Sequence, residues 1–271
     1  MAIAYAVLAS GSKGNCTWVR AGDTAVLVDC GLSALAIRRR LEAIGESLAE
    51  VSAVICTHGH GDHVAGAAVL ARKHGLRIHG TVETLARLPG SPPEASLVEV
   101  PREGRFALGD LTVQTVPTLH DAPGSFAVRL EVAGASLGVI TDLGLPSEGL
   151  IRAFSGLTGL VLEMNHDEEM LLYGPYPEPL KRRIRSDLGH LSNAEGAALL
   201  ARLLHPGLQQ VTLAHLSETN NLPEHALSAA RSVVGARGRP TLTVARQGAP
   251  GERVDLEIPR GGQLGLPLSF G

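Results

Sequence analysis

The segment ICTHGHGDHVAG, residues 55–66, gathers His58, His60, Asp62 and His63 within six positions in the pattern H-x-H-x-D-H. Imidazole nitrogens and carboxylate oxygens are the donors that Zn²⁺ and other borderline metals take up. In a loop leaving a strand end, alternate residues turn to one side, so His58 and His60 are set to share one ion. Asp62 and His63, at the start of the next helix, then face a second ion beside it. Gly59 and Gly61 carry no side chains to obstruct this and leave the backbone free to take unusual angles.

The elements that position this loop can be read around it. VSAVICT, just before the cluster, is a β-branched run with the look of a strand, and HVAGAAVLARKHG after it reads as one helix. IAYAVLA and TAVLVDC read as strands, and LSALAIRRRLEAIG as a helix with Ser33 as its cap and Gly45 just past its end. The runs LTVQTVP, FAVRLEV, SLGVITD, LTGLVLEM and QQVTLAHL add further strands. Ser192 and Glu195 form an S-x-x-E capping box ahead of the helix GAALLARLL. Strand-like and helix-like segments alternate along the 271 residues without a linker, which predicts one domain over 1–260 and a loose tail over 261–271.

Composition narrows the setting. Cys16, Cys30 and Cys56 are odd in number and sit in or beside apolar runs, as reduced, packed thiols of a cytoplasmic protein do. The start MAIAYAVLASG lacks a basic region and a cleavage pattern, and no apolar run reaches membrane-spanning length, so neither a secretion signal nor a transmembrane helix is expected. A formal net charge of −3 gives no global attraction for nucleic acid, so such binding must rest on a local basic patch.

H-x-H-x-D-H is also where the chain comes to resemble the metallo-β-lactamase-fold superfamily. That resemblance implies an α/β fold, a four-layer αββα sandwich, with a two-metal site closed by a His, a bridging Asp and a last His at strand ends. His120 in TVPTLHDAPG, Asp142 in SLGVITDLG and His215 in VTLAHLSETN stand in that order, each after an apolar run. Asp29 in AVLVDCG matches the early aspartate that supports the His loop from behind. The blocks LASGSKGNCTWV, VLEMNHDEEML, YGPYPEPLKRRIRSDLGHLSN and LAHLSETNN are similar to the YycJ/WalJ group, whose activity is a metal-dependent 5′ to 3′ DNA exonuclease. That group usually carries a small residue where Lys13 stands and other residues at Gly59 and Gly61; these departures spare every ligand.

The resemblance implies two divalent ions, Zn²⁺ or Mn²⁺: one held by His58, His60 and His120, the other by Asp62, His63 and His215, with Asp142 between them. A hydroxide bridging the pair would attack phosphorus, and the leaving oxygen would need a proton. His190 in SDLGHLSN is the candidate donor, because it lies two residues before the Ser192 cap, where backbone N–H groups favour phosphate. His166, between Glu163 and Asp167, is a candidate for supporting the ligands or facing substrate. Lys181, Arg182, Arg183 and Arg185 form a cluster that can track a nucleic-acid backbone, with Tyr173 and Tyr176 nearby as stacking surfaces. Ser12 and Asn15 belong to a Gly/Ser-rich loop able to approach the site. His74, His79, His205 and His225 read as structural or solvent-facing. Other substrates suit the same residues: RNA, a small phosphodiester, or a lactone or thioester; the GHLSN block and the basic stretch before it favour a phosphodiester.

Overall fold

Runs of aliphatic and β-branched residues become strands, and the segments between them with period near 3.6 become helices. The computed structural model describes residues 2–235 and 240–258. The first half contains β1 (Ile3–Ala9), β2 (Cys16–Ala21), β3 (Thr24–Val28), α1 (Ala34–Ala43), β4 (Val51–Ile55), α2 (Gly61–Val64), α3 (Ala67–His74), β5 (Arg77–Gly80), α4 (Val82–Leu85) and β6 (Leu97–Glu99). The second half contains β7 (Gly104–Leu108), β8 (Leu111–Pro117), β9 (Phe126–Val132), β10 (Ala135–Ile140), α5 (Glu148–Ala153), β11 (Gly159–Glu163), α6 (Glu168–Tyr173), α7 (Glu178–Ile184), α8 (Asn193–Leu203), β12 (Gln210–Ala214), α9 (Pro223–Val234), β13 (Thr241–Val244) and β14 (Val254–Leu256).

These strands make two mixed sheets, ordered β14-β1-β2-β3-β4-β5-β6 and β13-β12-β11-β10-β9-β8-β7. Their inner faces meet in one core, in which Tyr5, Val26 and Ile55 of the first sheet face Val113, Val128 and Val161 of the second. Alternate residues of the same strands point outward. On one side Trp18, Leu27 and Val54 pack with Ile37 of α1 and Leu70 of α3; on the other Ile140, Leu160 and Leu213 pack with Leu150 of α5, Leu200 of α8 and Ala230 of α9. The layers are therefore helix, sheet, sheet, helix, the four-layer αββα arrangement. Strands buried on both faces explain why the segments read as unbroken apolar runs.

The parallel pairs place the site. β3 runs parallel to β4 in the first sheet, and β10, β11 and β12 run parallel in the second. Their C-terminal ends carry Asp29, the His58–His63 loop, Asp142, Glu163 and His215. The Ser33 cap and the Ser192/Glu195 capping box form as the sequence predicts.

The single helix expected from residue 63 is instead two, α2 and α3, with Gly66 at the break. Gly66 N–H donates to Cys30 O at 2.8 Å, and a Cβ on Gly66 would stand 2.5 Å from Leu32 O. This close crossing seats the His loop against the β3 exit and interrupts the helix. The expected tail over 261–271 lies outside the described residues.

Candidate active site

Asp29, Asp142 and His215 share an unusual backbone, with φ of 62°, 57° and 55°. The left-handed region costs a non-glycine residue about 1–2 kcal/mol, and three such residues sit together at the ends of β3, β10 and β12. Two are held by backbone bonds: Asp29 N donates to Ile55 O at 2.8 Å, and His215 N to Ser10 Oγ at 2.6 Å. Strain held in this way is characteristic of functional sites.

The imidazoles are oriented by their outer nitrogens. Thr57 Oγ lies 3.0 Å from both Asp29 carboxylate oxygens and 3.0 Å from His58 Nδ1. Its one hydrogen goes to the carboxylate, so its oxygen accepts from His58 Nδ1–H and leaves Nε2 bare. His63 Nδ1 donates to Asp29 Oδ2 at 2.8 Å, His120 Nδ1 to Gly189 O at 3.2 Å, and His215 Nδ1 to Glu163 Oε1 at 3.0 Å. Four Nε2 atoms are thereby turned inward, and His60 adds its Nδ1.

The spacing of these atoms fits a cation. An ion about 2.05 Å from tetrahedrally arranged nitrogens sets them about 3.3 Å apart. His60 Nδ1 lies 3.2 Å from His58 Nε2 and 3.3 Å from His120 Nε2. Asp62 Oδ2 lies 3.6 Å from His63 Nε2 and 3.8 Å from His215 Nε2, a second group beside the first. Asp142 touches both, with Oδ2 at 3.1 Å from His63 Nε2 and Oδ1 at 3.8 Å from His120 Nε2 and 3.7 Å from His215 Nε2. Asp142 Oδ2 and His215 Nε2 are buried without a hydrogen-bond partner of suitable geometry, as expected of groups whose partner is a metal.

Electrostatics divides the cluster. Burial, then the neighbouring His63, holds His58 well below the usual histidine range, and burial with His120 lowers His60. At His63 burial is outweighed by Asp142 and Asp29, which raise it well above that range. At His215 burial is likewise outweighed by Asp142, Asp62 and Glu163, which push it up to about 10. Asp142, although buried, is held well below the carboxylate range by His215 and His63. The raised values of His63 and His215 favour protons that balance the carboxylates, and an ion entering the cluster would have to displace them.

His190 adjoins this cluster. Its Nδ1 lies 2.7 Å from Glu163 Oε1, and its ring is 5.2 Å from those of both His120 and His215. Glu163 was missed as a site residue in the sequence, where it reads only as the end of an apolar strand. It is 0% exposed, and its Oε2 accepts Leu143 N–H at 2.8 Å. Burial disfavours its charge, but His190 and His215 bring its pKa down to about 2. Asp121 is the second omission: it lies 3.5 Å from His60 Nε2 and accepts from Arg183 Nε at 2.5 Å.

The remaining candidates separate. Asn15 Nδ2 reaches Asp62 Oδ2 at 3.3 Å and His63 Nε2 at 3.0 Å, and Asn15 N donates to Asp62 O at 2.7 Å, so Asn15 fixes the acidic end of the loop. Ser12, Arg183 and His190 line a cleft of about 270 Å³ over the cluster. Arg182 and Arg185 are exposed on and just beyond α7.

Lys181 departs from the expectation of a substrate-tracking cation. It is buried, and its Nζ donates to Leu172 O at 2.7 Å, tying α7 to α6. His166 does not face substrate either: it is 2% exposed, and its carbonyl accepts Asn193 N–H at the start of α8. His79 stacks on Phe106, His205 bonds Leu157 O, and His225 pairs with Asp167, all away from the cleft.

Known proteins match this picture. Residues 9–207 match the family model of the metallo-beta-lactamase superfamily. The chain is 33% identical to exodeoxyribonuclease YycJ of Bacillus anthracis over 246 residues, 88% of this chain and 91% of that protein. It is 34% identical to exodeoxyribonuclease WalJ of Streptococcus pneumoniae over 229 residues, 82% of this chain and 84% of that protein. Among solved structures, the metallo-beta-lactamase fold protein YhfI of Bacillus subtilis superposes with a TM-score of 0.71 at 17% identity, covering 94% of this chain and all of that one. With its family model, its relatives and its fold in agreement, the chain belongs to the metallo-beta-lactamase superfamily, as a hydrolase of the group that YycJ and WalJ represent.

Proposed function

We propose that the protein is a two-metal phosphodiesterase that removes nucleotides from DNA in the 5′ to 3′ direction. The DNA substrate rests on its similarity, over most of the chain, to proteins named exodeoxyribonucleases, and the direction on the resemblance of its sequence blocks to the YycJ/WalJ group. The phosphodiester reading is carried by one observation, the His190–Glu163 pair beside the His/Asp cluster.

His58, His60 and His120 are assigned to one ion, Asp62, His63 and His215 to the other, and Asp142 to both. Two divalent ions held there would activate a water at neutral pH and offset charge on phosphoryl oxygens. The His-rich donor set suits Zn²⁺, and Mn²⁺ can enter the same cluster.

The chain's own groups account for the rest. Asp29 and Thr57 fix the tautomers of His58 and His63. Glu163 holds His190 by Nδ1, which leaves Nε2 to meet the leaving oxygen in the cleft. A proton passing through that ring is balanced by the Glu163 carboxylate behind it. Arg183, at the cleft wall, offers its remaining guanidinium N–H groups to a phosphate while its Nε stays on Asp121.

We place the protein in the cytoplasm. Cys16, Cys30 and Cys56 are free and buried, and no helix among the described residues is long and apolar enough to cross a membrane.

His190→Ala tests the assignment. Turnover on DNA should fall by about 10²- to 10⁴-fold, the usual worth of a positioned proton donor, with metal content unchanged. Loss of both metals in that variant would show that His190 is a ligand instead.

A further inference from the structure

The cleft has two unlike walls. One is the polar cluster; the other is built by Tyr176 in the turn before α7 and by Leu180, Arg183 and Ile184 of α7. Tyr176, Leu180 and Ile184 are all only partly buried. A partly buried aromatic ring beside two aliphatic side chains suits the flat, apolar face of a nucleobase better than it suits a charged phosphate. Building on the DNA reading above, we infer that Tyr176 is the stacking platform for the base of a single unpaired terminal nucleotide.

The size of the cleft agrees. At about 270 Å³ it lies just below the usual range of ligand pockets, about 300 to 1,000 Å³. That space suits a group the size of one nucleotide.

The segment that carries the ring is also held in place. Pro175 and Pro177 flank Tyr176 and fix their own φ angles. Gly174 is seated so closely that a Cβ there would run into Asn220 Oδ1 and Met170 O. α7 is braced through its second half, by Lys181 Nζ on Leu172 O and by Arg183 on Asp121. An aromatic surface ordered in advance loses little entropy on binding. Tyr173, the other ring in this stretch, is 82% exposed and lies outside the cleft lining, so it does not share the role. Every base presents a π-face, so the platform implies little preference for which base is removed.

Initial rates on single-stranded DNA test this, with the terminal nucleotide either natural or abasic (tetrahydrofuran). The parent should favour the natural end by about 5- to 150-fold in kcat/KM, the equivalent of one base–aromatic stack. Tyr176→Ala should lose that factor on the natural end and nothing further on the abasic end, while Tyr176→Phe keeps the parent's preference.

A Tyr176→Ala variant slowed equally on both substrates would assign the ring a packing role only and overturn the inference. If the alanine variant does not fold, Tyr176→Leu keeps the bulk without the π-face and must show the same loss of discrimination. A parent that degrades DNA but ignores the terminal base sinks this inference alone. A metal-loaded parent inert on all DNA sinks the DNA reading and the inference together.

Discussion

Glu163→Gln is nearly isosteric and removes only a charge and an acceptor, which makes its effect calculable. In the parent, Oε1 accepts from both His190 and His215 while Oε2 accepts from Leu143 N–H, so both oxygens face donors. Glutamine has one oxygen and one NH₂. If its oxygen serves the imidazoles, its NH₂ faces the Leu143 N–H; if it flips, the NH₂ faces two ring N–H groups. Either way one donor meets another in a fully buried place, at a cost of about 1–3 kcal/mol. The bonds that survive lose their charge assistance and about half their strength.

Second-layer partners of metal-site histidines are typically worth about 10- to 100-fold in affinity or activity. We therefore expect kcat to fall by about 10- to 100-fold, with partial loss of the ion assigned to His215. Initial rates on labelled DNA and metal analysis of the purified variant measure both. A variant within about twofold of the parent in both would refute the role given to Glu163.

Asp142→Ala should abolish both metal loading and activity, since Asp142 is assigned to both donor groups; a fully loaded, inactive variant would contradict that. Metal affinity should rise with pH. His215 has a metal-free pKa of about 10, so below that pH it holds a proton that the ion displaces, and the competition fades as pH rises. Chelator competition between about pH 6 and pH 8 should show about a tenfold gain per unit for each proton released, and a flat profile would refute the exchange. Gly31→Ala places a Cβ on the Asp62 carbonyl, so it should lower the melting temperature and the metal occupancy together; an unchanged occupancy would separate Gly31 from the site. Arg182→Gln and Arg185→Gln should each lower the salt slope of single-stranded DNA binding by up to about 0.7, and an unchanged slope would leave that face to solvent.

The parts of the site that were legible in the sequence are those fixed by local pattern. H-x-H-x-D-H is short enough for its spacing to set its geometry, and His120, Asp142 and His215 each follow an apolar run that ends where the strand ends. Glu163 follows such a run too, but its task depends on β11 lying between β10 and β12, which brings His190 and His215 to it from distant parts of the chain. Asp121 was hidden beside a stronger candidate, His120. Lys181 could not be told from its arginine neighbours, because only the packing of α7 on α6 turns it inward. The break at Gly66 arises from the crossing with the β3 exit, which no local helix signal records.

The most direct test of the account is a time course on 5′-end-labelled and 3′-end-labelled DNA with metal-stripped protein, before and after addition of Mn²⁺ or Zn²⁺. Without metal, no hydrolysis is expected. With metal, the 5′ label should be released immediately as a mononucleotide, while the 3′-labelled strand shortens stepwise. Persistent inertness toward DNA by a folded, metal-loaded protein would contradict it.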